Sequence, residues 1–439
     1  MRRFFASFVL LLAGFCLDAR DIDLRSLGAA LDGKTKETAL LQKAIDIVSG
    51  NGGGRVLVPS GILLTAPVEL KSGVDLHISD GAVVLASPDV EDYVDRSNPR
   101  HVRTDALPRF RNVALIYADE AENISISGKG TIDGNGTRFV RAKTGDDWTG
   151  WWYERIVPNE KSVPRVVFFA GCRNVSVTDV TMTNQPSGWS YWIHDCDNVV
   201  FKGCRILADV HFPNNDGIHI NSSRDVKISH CHIVTGDDSV VIRANNRSLK
   251  ENKVCERVSV SDCYFRSWSS GVRIGWTNDG TIRNCSFDNI YMYDCSNAVS
   301  CFLPKMEAVE ATNDYGREAT LVENISFSNI RMDKIYGSAI YVCVADSERT
   351  RFAGFRNVTF SNIDCNCLAL PYFCGRADTP IRDITFNNCR FSVCTPDGFP
   401  ENPRRHGAVL RPSAGKCNSN VENLLFNNCN MSIPNNSNQ

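Results

Sequence analysis

One short phrase recurs along this chain, and it limits the possible folds more than any other feature. "NVSVTDVTM" begins at Asn174, "NVVFKGCRI" at Asn198, "DVKISHCHI" at Asp225 and "RVSVSDCYF" at Arg257. Further copies begin at Asp279 ("DGTIRNCSF"), Asn324 ("NISFSNIRM"), Asn357 ("NVTFSNIDC"), Asp383 ("DITFNNCRF") and Asn423 ("NLLFNNCNM"). Apolar residues fall at offsets three, six and eight in every copy, and at offset one in all but the copy with Gly280. Offsets one and three describe a strand with alternating faces. Offsets six and eight describe a second strand after a bend that resets the parity. The step between copies is mostly 22 to 33 residues, with longer steps at two places where a loop must fit. A strand-rich repeat of this period is a solenoid. The expected fold class is all-β: a single-stranded parallel β-helix, one copy per coil, with rungs about 4.8 Å apart. The crossover rule for parallel strands makes it right-handed.

Such a solenoid has an open apolar end. The stretch "KETALLQKAIDIVSGNGGGRVLVPSGILLT" supplies a cover, with Leu41, Ala44, Ile45 and Val48 on one helical face and the glycines from Gly50 to Gly54 ending the helix. A short N-terminal capping helix is therefore expected. Upstream, "MRRFFASFVLLLAGFCLDA" has two arginines, a short apolar core and then small residues, the pattern of an export signal. The expectation is a signal peptide over residues 1–19, a single β-helix domain over residues 20–439, and a secreted or periplasmic location. Cys16 raises a lipid-anchored alternative, although Phe15 stands where such a signal wants a small residue. No later stretch is long and apolar enough to span a bilayer.

The chain has 18 cysteines, which in an exported protein suggests disulfides. Their positions point elsewhere. Cys204, Cys231, Cys263, Cys285, Cys389 and Cys429 sit at offset six, where other copies carry Val180, Ile330 or Ile363. They are expected as a buried stack of small apolar thiols. Cys365, Cys367, Cys374 and Cys394 fall later, in expected loops, and are the better disulfide candidates. None of the spacings resembles a tight zinc site. The asparagine opening many copies is expected to stack and hydrogen-bond in a turn, which would shield the sequons at Asn123, Asn174, Asn324 and Asn357 from glycosylation. With a formal net charge of −2 and no basic run, nothing marks a nucleic-acid partner.

Three acids stand apart from this architecture. "DGIHIN" (216 to 221) aligns with "DSVVIR" (238 to 243) and "SGVRIG" (270 to 275). Ile218, Val240 and Val272 then stack inward, as do Ile220, Ile242 and Ile274. Asp216 and Asp238 open their strands, Asp237 lies just before the second, and His219, Val241 and Arg273 face outward, with Arg243 two residues beyond Val241. Converging carboxylates repel, so at least one should keep its proton. One protonated acid beside ionised ones suits hydrolysis of a glycosidic bond. The same oxygens suit Ca²⁺, and Asp-Gly and Gly-Asp-Asp also serve as plain turns.

At these residues the chain resembles glycoside hydrolase family 28, the polygalacturonase family. "GTIDGNG", "WTGWWY" and "PRVVFFAGCRNVSVTDVTMTNQPSGWSYWIHDCDNV" are similar to its coils, Asn214-Asn215-Asp216 to its Asn-Thr-Asp motif, and Gly236-Asp237-Asp238 to its Gly-Asp-Asp motif. The resemblance covers nearly all of the chain after the leader. It implies a right-handed β-helix that hydrolyses a pectic polysaccharide or oligosaccharide, of galacturonan or rhamnogalacturonan type, by inverting single displacement. Asp237 would be the general acid, and Asp216 and Asp238 would activate water. Rung spacing brings these carboxylates closer than the general separation for inverting enzymes.

The chain also departs from the family. Ser269-Ser270-Gly271 replaces Gly-His-Gly, and Ser300, Cys301 and Phe302 fall where the family has Arg-Ile-Lys. Asn214, His219, Arg243, Arg273 and Trp276 are the expected substrate contacts. Lys305 is a further cation that could grip a carboxylate, His194 reads equally as packed or as a contact, and Trp148, Trp151 and Trp152 read as packing or stacking groups. No cofactor is expected, and the chain is expected to be a monomer. A Ca²⁺-dependent lyase on the same fold and a non-catalytic glycan-binding solenoid remain as alternatives.

Overall fold

The structure, a computed structural model, describes residues 21–94, 113–144, 152–156, 164–305, 318–394 and 419–432. The expected leader, Trp148 and Trp151 lie outside these residues. The chain forms a right-handed parallel β-helix. Ten parallel strands stack in chain order into one sheet. Its central members are Arg165–Ala170, Tyr191–His194, Ile218–Asn221, Val240–Arg243, Ser270–Ile274 and Asn297–Leu303. The other two arms of each coil pair, also in parallel, within a 22-stranded assembly. Among the described residues the one antiparallel pair is a small hairpin, Val140–Ala142 with Tyr153–Arg155.

The bends come from two left-handed residues per coil. Asn174, Asn198, Asp225, Arg257, Asn324, Asn357, Asp383 and Asn423 open their phrases at φ between 51° and 58°. Five residues later Asp179, Gly203, His230, Asp262, Asn329, Asn362, Asn388 and Asn428 are left-handed as well. Asn and Asp tolerate this region better than other side chains, and their side-chain ladders help offset its cost. Nδ2 of Asn174 donates to Asn123 Oδ1 at 2.9 Å, Asn198 to Asn174 at 2.8 Å, and Asn357 to Asn324 at 2.7 Å.

One copy of the phrase is out of phase with the sequence reading. Asn284, at φ 55°, and not Asp279 opens the coil, and Cys285 packs beside Ile325, the offset-one residue of the next copy. Cys285 thus leaves the offset-six stack, where Ile290 takes its place beside Cys263. The remaining offset-six cysteines hold that position: Cys204, Cys231, Cys263 and Cys389 are buried and Cys429 is partly buried, all as free thiols. Cys365 and Cys367 are not in a loop. They are inward-facing, fully buried residues of the strand Phe352–Ala369, because the phrase at Asn357 simply runs on. No disulfide joins the described cysteines, including Cys374 and Cys394.

Stacking like on like organises the core, which runs as one cluster from Leu24 to Phe391. Phe287, Phe327, Phe360, Phe386 and Phe426 form a column with ring centroids 4.5 to 5.0 Å apart and nearly parallel planes. Fully burying one such ring is worth about 1.5–3 kcal/mol, and offset stacking adds to it. The helix Thr38–Gly50 buries Leu41, Ala44, Ile45 and Val48, the face expected to cover the open end. No helix among the described residues is long and apolar enough to cross a membrane.

The residue just before the opening position is charged, and over eight successive coils its sign alternates. Glu122, Arg173, Asp197, Arg224, Glu256, Arg283, Glu323 and Arg356 are register partners on eight successive coils. Arg283 meets Glu256 at 2.8 Å and Arg356 meets Glu323 at 2.7 Å. A slip by one coil would set like charges together, so this ladder specifies register as well as adding attraction.

Candidate active site

The ten-stranded sheet places the acids. Ile218 is the register partner of Val240 and Val240 of Val272, while His219, Val241 and Arg273 follow one another on the outer face, as the sequence alignment of rungs expected. The Asp238 carbonyl accepts from Gly217 N–H at 2.9 Å, tying the two acid-bearing turns on adjacent rungs.

Asn215 fixes the Gly-Asp-Asp turn. Its Oδ1 accepts from Gly236 N–H at 2.6 Å and Asp237 N–H at 3.1 Å, and its Nδ2 donates to the Asp209 carbonyl at 2.7 Å. The Asp237 carbonyl accepts from both Thr235 Oγ1 and Ser267 Oγ at 2.6 Å. Gly236 has no alternative, since a Cβ there would lie 2.4 Å from the Phe212 carbonyl oxygen and 2.6 Å from Asn215 Oδ1.

Each acid has a different set of partners. Asp238 Oδ1 accepts from Ser269 Oγ at 2.9 Å and Ser270 N–H at 3.0 Å, and Oδ2 accepts from Arg273 at 3.3 Å. Asp237 Oδ2 accepts from Asn214 Nδ2 at 3.2 Å. Asp216 Oδ2 meets His219 Nδ1 at 3.1 Å, while its buried Oδ1 faces no hydrogen-bonding group of the described protein. Burial, with Asp237 and Asp238 nearby, holds the Asp216 carboxyl well above the usual carboxylate range. Burial also pushes His219 well below its ordinary value, reinforced by Arg243, Arg165 and Arg273. Both shifts favour the uncharged forms of this pair, and for Asp216 burial contributes more than the repulsion from Asp237 and Asp238. A guanidinium inside the cluster makes these oxygens a poor cradle for a divalent cation.

The other expected contacts fall in three places. His219 stacks on Trp189 at 3.8 Å and, with Trp192, His194 and Arg243, lines a tight recess of about 10 Å³, room for about one water. Arg243 is engaged there in a buried two-point ion pair with Asp279, at 2.5 and 2.8 Å. His194 is packed, with Ser248 Oγ at 3.1 Å from Nε2 and Asn221 Nδ2 at 2.6 Å from Nδ1. Arg273 lies over the Trp276 ring at 4.2 Å, so these two act as one unit beside Asp238. Trp152 is exposed and stacks on His211 at 3.7 Å, with Trp268 edge-on at 6.3 Å. Lys305 is exposed at the end of the strand carrying Ser300.

Two residues escaped the sequence reading. Arg155, from the hairpin, donates to Asn214 Oδ1 and Ser187 Oγ, and its charge acts on Asp237 and Asp216. The hairpin lies outside the repeat, so periodicity could not reach it. Asp279 pairs with Arg243 and also accepts from Trp276 N–H at 3.1 Å. Its signal, an acid just past the third rung, was absorbed into a mis-phased copy.

Comparison with known proteins bears on the same residues. Residues 104–391 match the family described as "Glycosyl hydrolases family 28". A grape protein named "Probable polygalacturonase" is 30% identical over 233 residues, 52% of this chain and 45% of its own, so the match spans less than half of that relative. A maize exopolygalacturonase is 25% identical over 70% of this chain and 75% of its own. Among solved structures, an exopolygalacturonase from Thermotoga maritima aligns over 94% of this chain and 91% of its own, with a TM-score of 0.68 and 22% identity. One from Yersinia enterocolitica aligns over 94% and 75%, with a TM-score of 0.72 and 18% identity. These two likenesses concern the fold. The family match spans most of the solenoid and all three acids on its outer face, and the chain belongs to glycosyl hydrolases family 28.

Proposed function

We propose that this protein is an exported enzyme that hydrolyses a glycosidic bond in a pectic polysaccharide or oligosaccharide by single displacement with inversion. The observation that carries the reading is the junction of Asp216, Asp237 and Asp238 on adjacent rungs, where burial and mutual repulsion hold the Asp216 carboxyl well above the usual carboxylate range. Burial and the neighbouring acids favour the protonated form of Asp216. In the reactive form the proton is on Asp237, which gives it to the leaving oxygen, while Asp216 and Asp238, both ionised, flank the attacking water. The bond from the anomeric carbon to the leaving oxygen breaks, the water oxygen bonds that carbon from the opposite face, and the water proton returns to the carboxylate pair. Three donors converge on Asp238, which orients it for this work.

The test is reducing-end release across a panel of pectic polymers and oligosaccharides, native against Asp237→Asn, with the anomer of the first product read by NMR. Release that disappears in Asp237→Asn, with the inverted anomer formed first, supports the reading. Turnover retained in that variant, or a product carrying a new ultraviolet-absorbing double bond, sinks it.

A further inference from the structure

The hairpin of Val140–Ala142 with Tyr153–Arg155 stands outside the repeat, yet it is fitted residue by residue to the segment that leads into the acids. The Trp152 ring stacks on His211 at 3.7 Å, Tyr153 meets Phe212 edge to face at 4.7 Å, and Arg155 donates to Asn214 Oδ1. The Trp152 N–H adds a bond to the His211 carbonyl at 3.3 Å. Arg155 has a second hold on the same segment. Its Nε donates to Ser187 Oγ at 3.1 Å, and that hydroxyl donates to the Pro213 carbonyl. Asn214, held at φ 54°, passes the contact on, its Nδ2 donating to Asp237 Oδ2 at 3.2 Å.

An amide can turn either end to a carboxyl group. Its oxygen accepts from the protonated acid, whereas its nitrogen donates to the carboxylate. Arg155 decides between the two. A guanidinium can only donate, so it takes Asn214 Oδ1 and leaves Nδ2 for Asp237. The charge works in the same direction, since the carboxylates that act most on Arg155 are Asp237 and then Asp216. Glu154, the acid next to Arg155, is paired with Arg141 at 2.7 Å.

We infer that Arg155 and Asn214 form a relay that fixes the Asp237 carboxyl and stabilises the carboxylate it becomes on giving up its proton. The inference rests on the hydrolase reading for what receives that proton. As the O–H bond of Asp237 breaks and the leaving oxygen takes the proton, the charge left on Asp237 meets an N–H already in place, with a cation behind it. No donor has to reorganise at that moment. Arg155 is thus a positioning residue for the general acid. The other charged and titratable groups around Asp237 come from the rungs, Asp216 with His219 and Asp238 with Arg273, while the His211–Asp209 pair, at 3.0 Å, lies at the Trp152 end of the contact.

The experiment follows the acid itself. Side-chain carboxyl signals are titrated by carbon-13 NMR in substrate-free protein, and the step that Asp237→Asn removes reports Asp237. Arg155→Met should raise its midpoint by at least about half a pH unit, because the cation and the donor that orients the amide are both lost. Asn214→Leu should raise it likewise, and the double variant by no more than the larger single shift, because the two residues act in series. Arg155→Lys, which keeps a cationic donor, should recover at least half of the effect. On whichever pectic oligosaccharide the native protein cleaves, Arg155→Met should lower kcat about tenfold, move the alkaline limb of the pH–rate profile upward and leave KM within about twofold. An unmoved midpoint in Arg155→Met, additive shifts in the double variant, or a loss confined to KM overturns the inference; the last would make Arg155 a substrate contact instead. Should Arg155→Met fail to fold, Asn214→Leu decides by the same midpoint. Shifted midpoints in a protein that cleaves nothing uphold the relay and remove the hydrolase reading, so the two fail separately.

Discussion

Asn215 is the residue on which the geometry of the site most depends, although it need not touch substrate. It is fully buried and makes three hydrogen bonds, two of them to the N–H groups of Gly236 and Asp237. Asn215→Ala would take their acceptor from those two N–H groups, while the Asp209 carbonyl keeps its bond from Phe212 N–H at 3.2 Å. At about 1–3 kcal/mol for each orphaned buried group, less what relaxation recovers, the local loss is about 2–5 kcal/mol. The turn cannot relax inward, because Gly236 already lies against the carbonyls of Phe212 and Val210. It must move outward and carry Asp237 and Asp238 into the cleft. A misplacement of about 1 Å costs on the order of 100-fold in rate, so kcat should fall by about that factor while KM changes little. Coils of a solenoid touch only their neighbours, so hydrogen exchange should quicken at 235–239 and stay native in distant coils. Asn215→Asp keeps both acceptor contacts but sets a carboxylate against the Asp209 carbonyl and beside Asp237, and should also lose activity. An Asn215→Ala protein with kcat within twofold of native and unchanged exchange at Asp237 would refute this account.

Two further outcomes follow from the electrostatics. Because the folded protein holds on Asp216 a proton that the unfolded chain gives up, stability should fall as pH rises from the ordinary carboxylate range through the raised value of Asp216. Asp216→Asn should remove that loss, by about 1.4 kcal/mol for each pH unit of elevation. It should therefore melt above the native protein at pH 7 and level with it near pH 4, and parallel melting curves across that range would refute the assignment. Glu256 faces Arg257 at 2.6 Å, Arg283 at 2.8 Å and Arg224 at 3.7 Å with its side chain largely buried. Glu256→Gln leaves three guanidinium groups together, and urea denaturation should show a loss of about 1–3 kcal/mol that shrinks in high salt; a salt-independent loss would point to packing instead.

The sequence made the solenoid legible because its inward residues obey a strict spacing that sheet stacking imposes. It made the acid ladder legible because the three strands that follow the acids align on their own inward residues. It misled at Asp279 for a definable reason. The inward offsets one and three reappear as six and eight when a phrase is read five residues early, so Cys285 and Phe287 passed for the second arm of a copy when they belong to the first. The same slip hid Asp279, whose partner Arg243 comes from the sheet that carries the acids. Arg155 was out of reach because nothing local says that a hairpin outside the repeat folds back over the rungs. The roles of Asn215 and Ser270 depend on which backbone groups approach them, and that is decided only when coils stack.

The charge ladder has a repeat of its own, and it is two coils long. A gene that copied a single coil of such a chain would set arginine on arginine or acid on acid, while one that copied a pair would leave every contact intact. Growth and loss by twos is then the path of least resistance in the history of this solenoid, and an odd step should leave a scar. The alternation of this chain breaks where Arg356 lies against Arg382, before Glu422 restores an opposite neighbour.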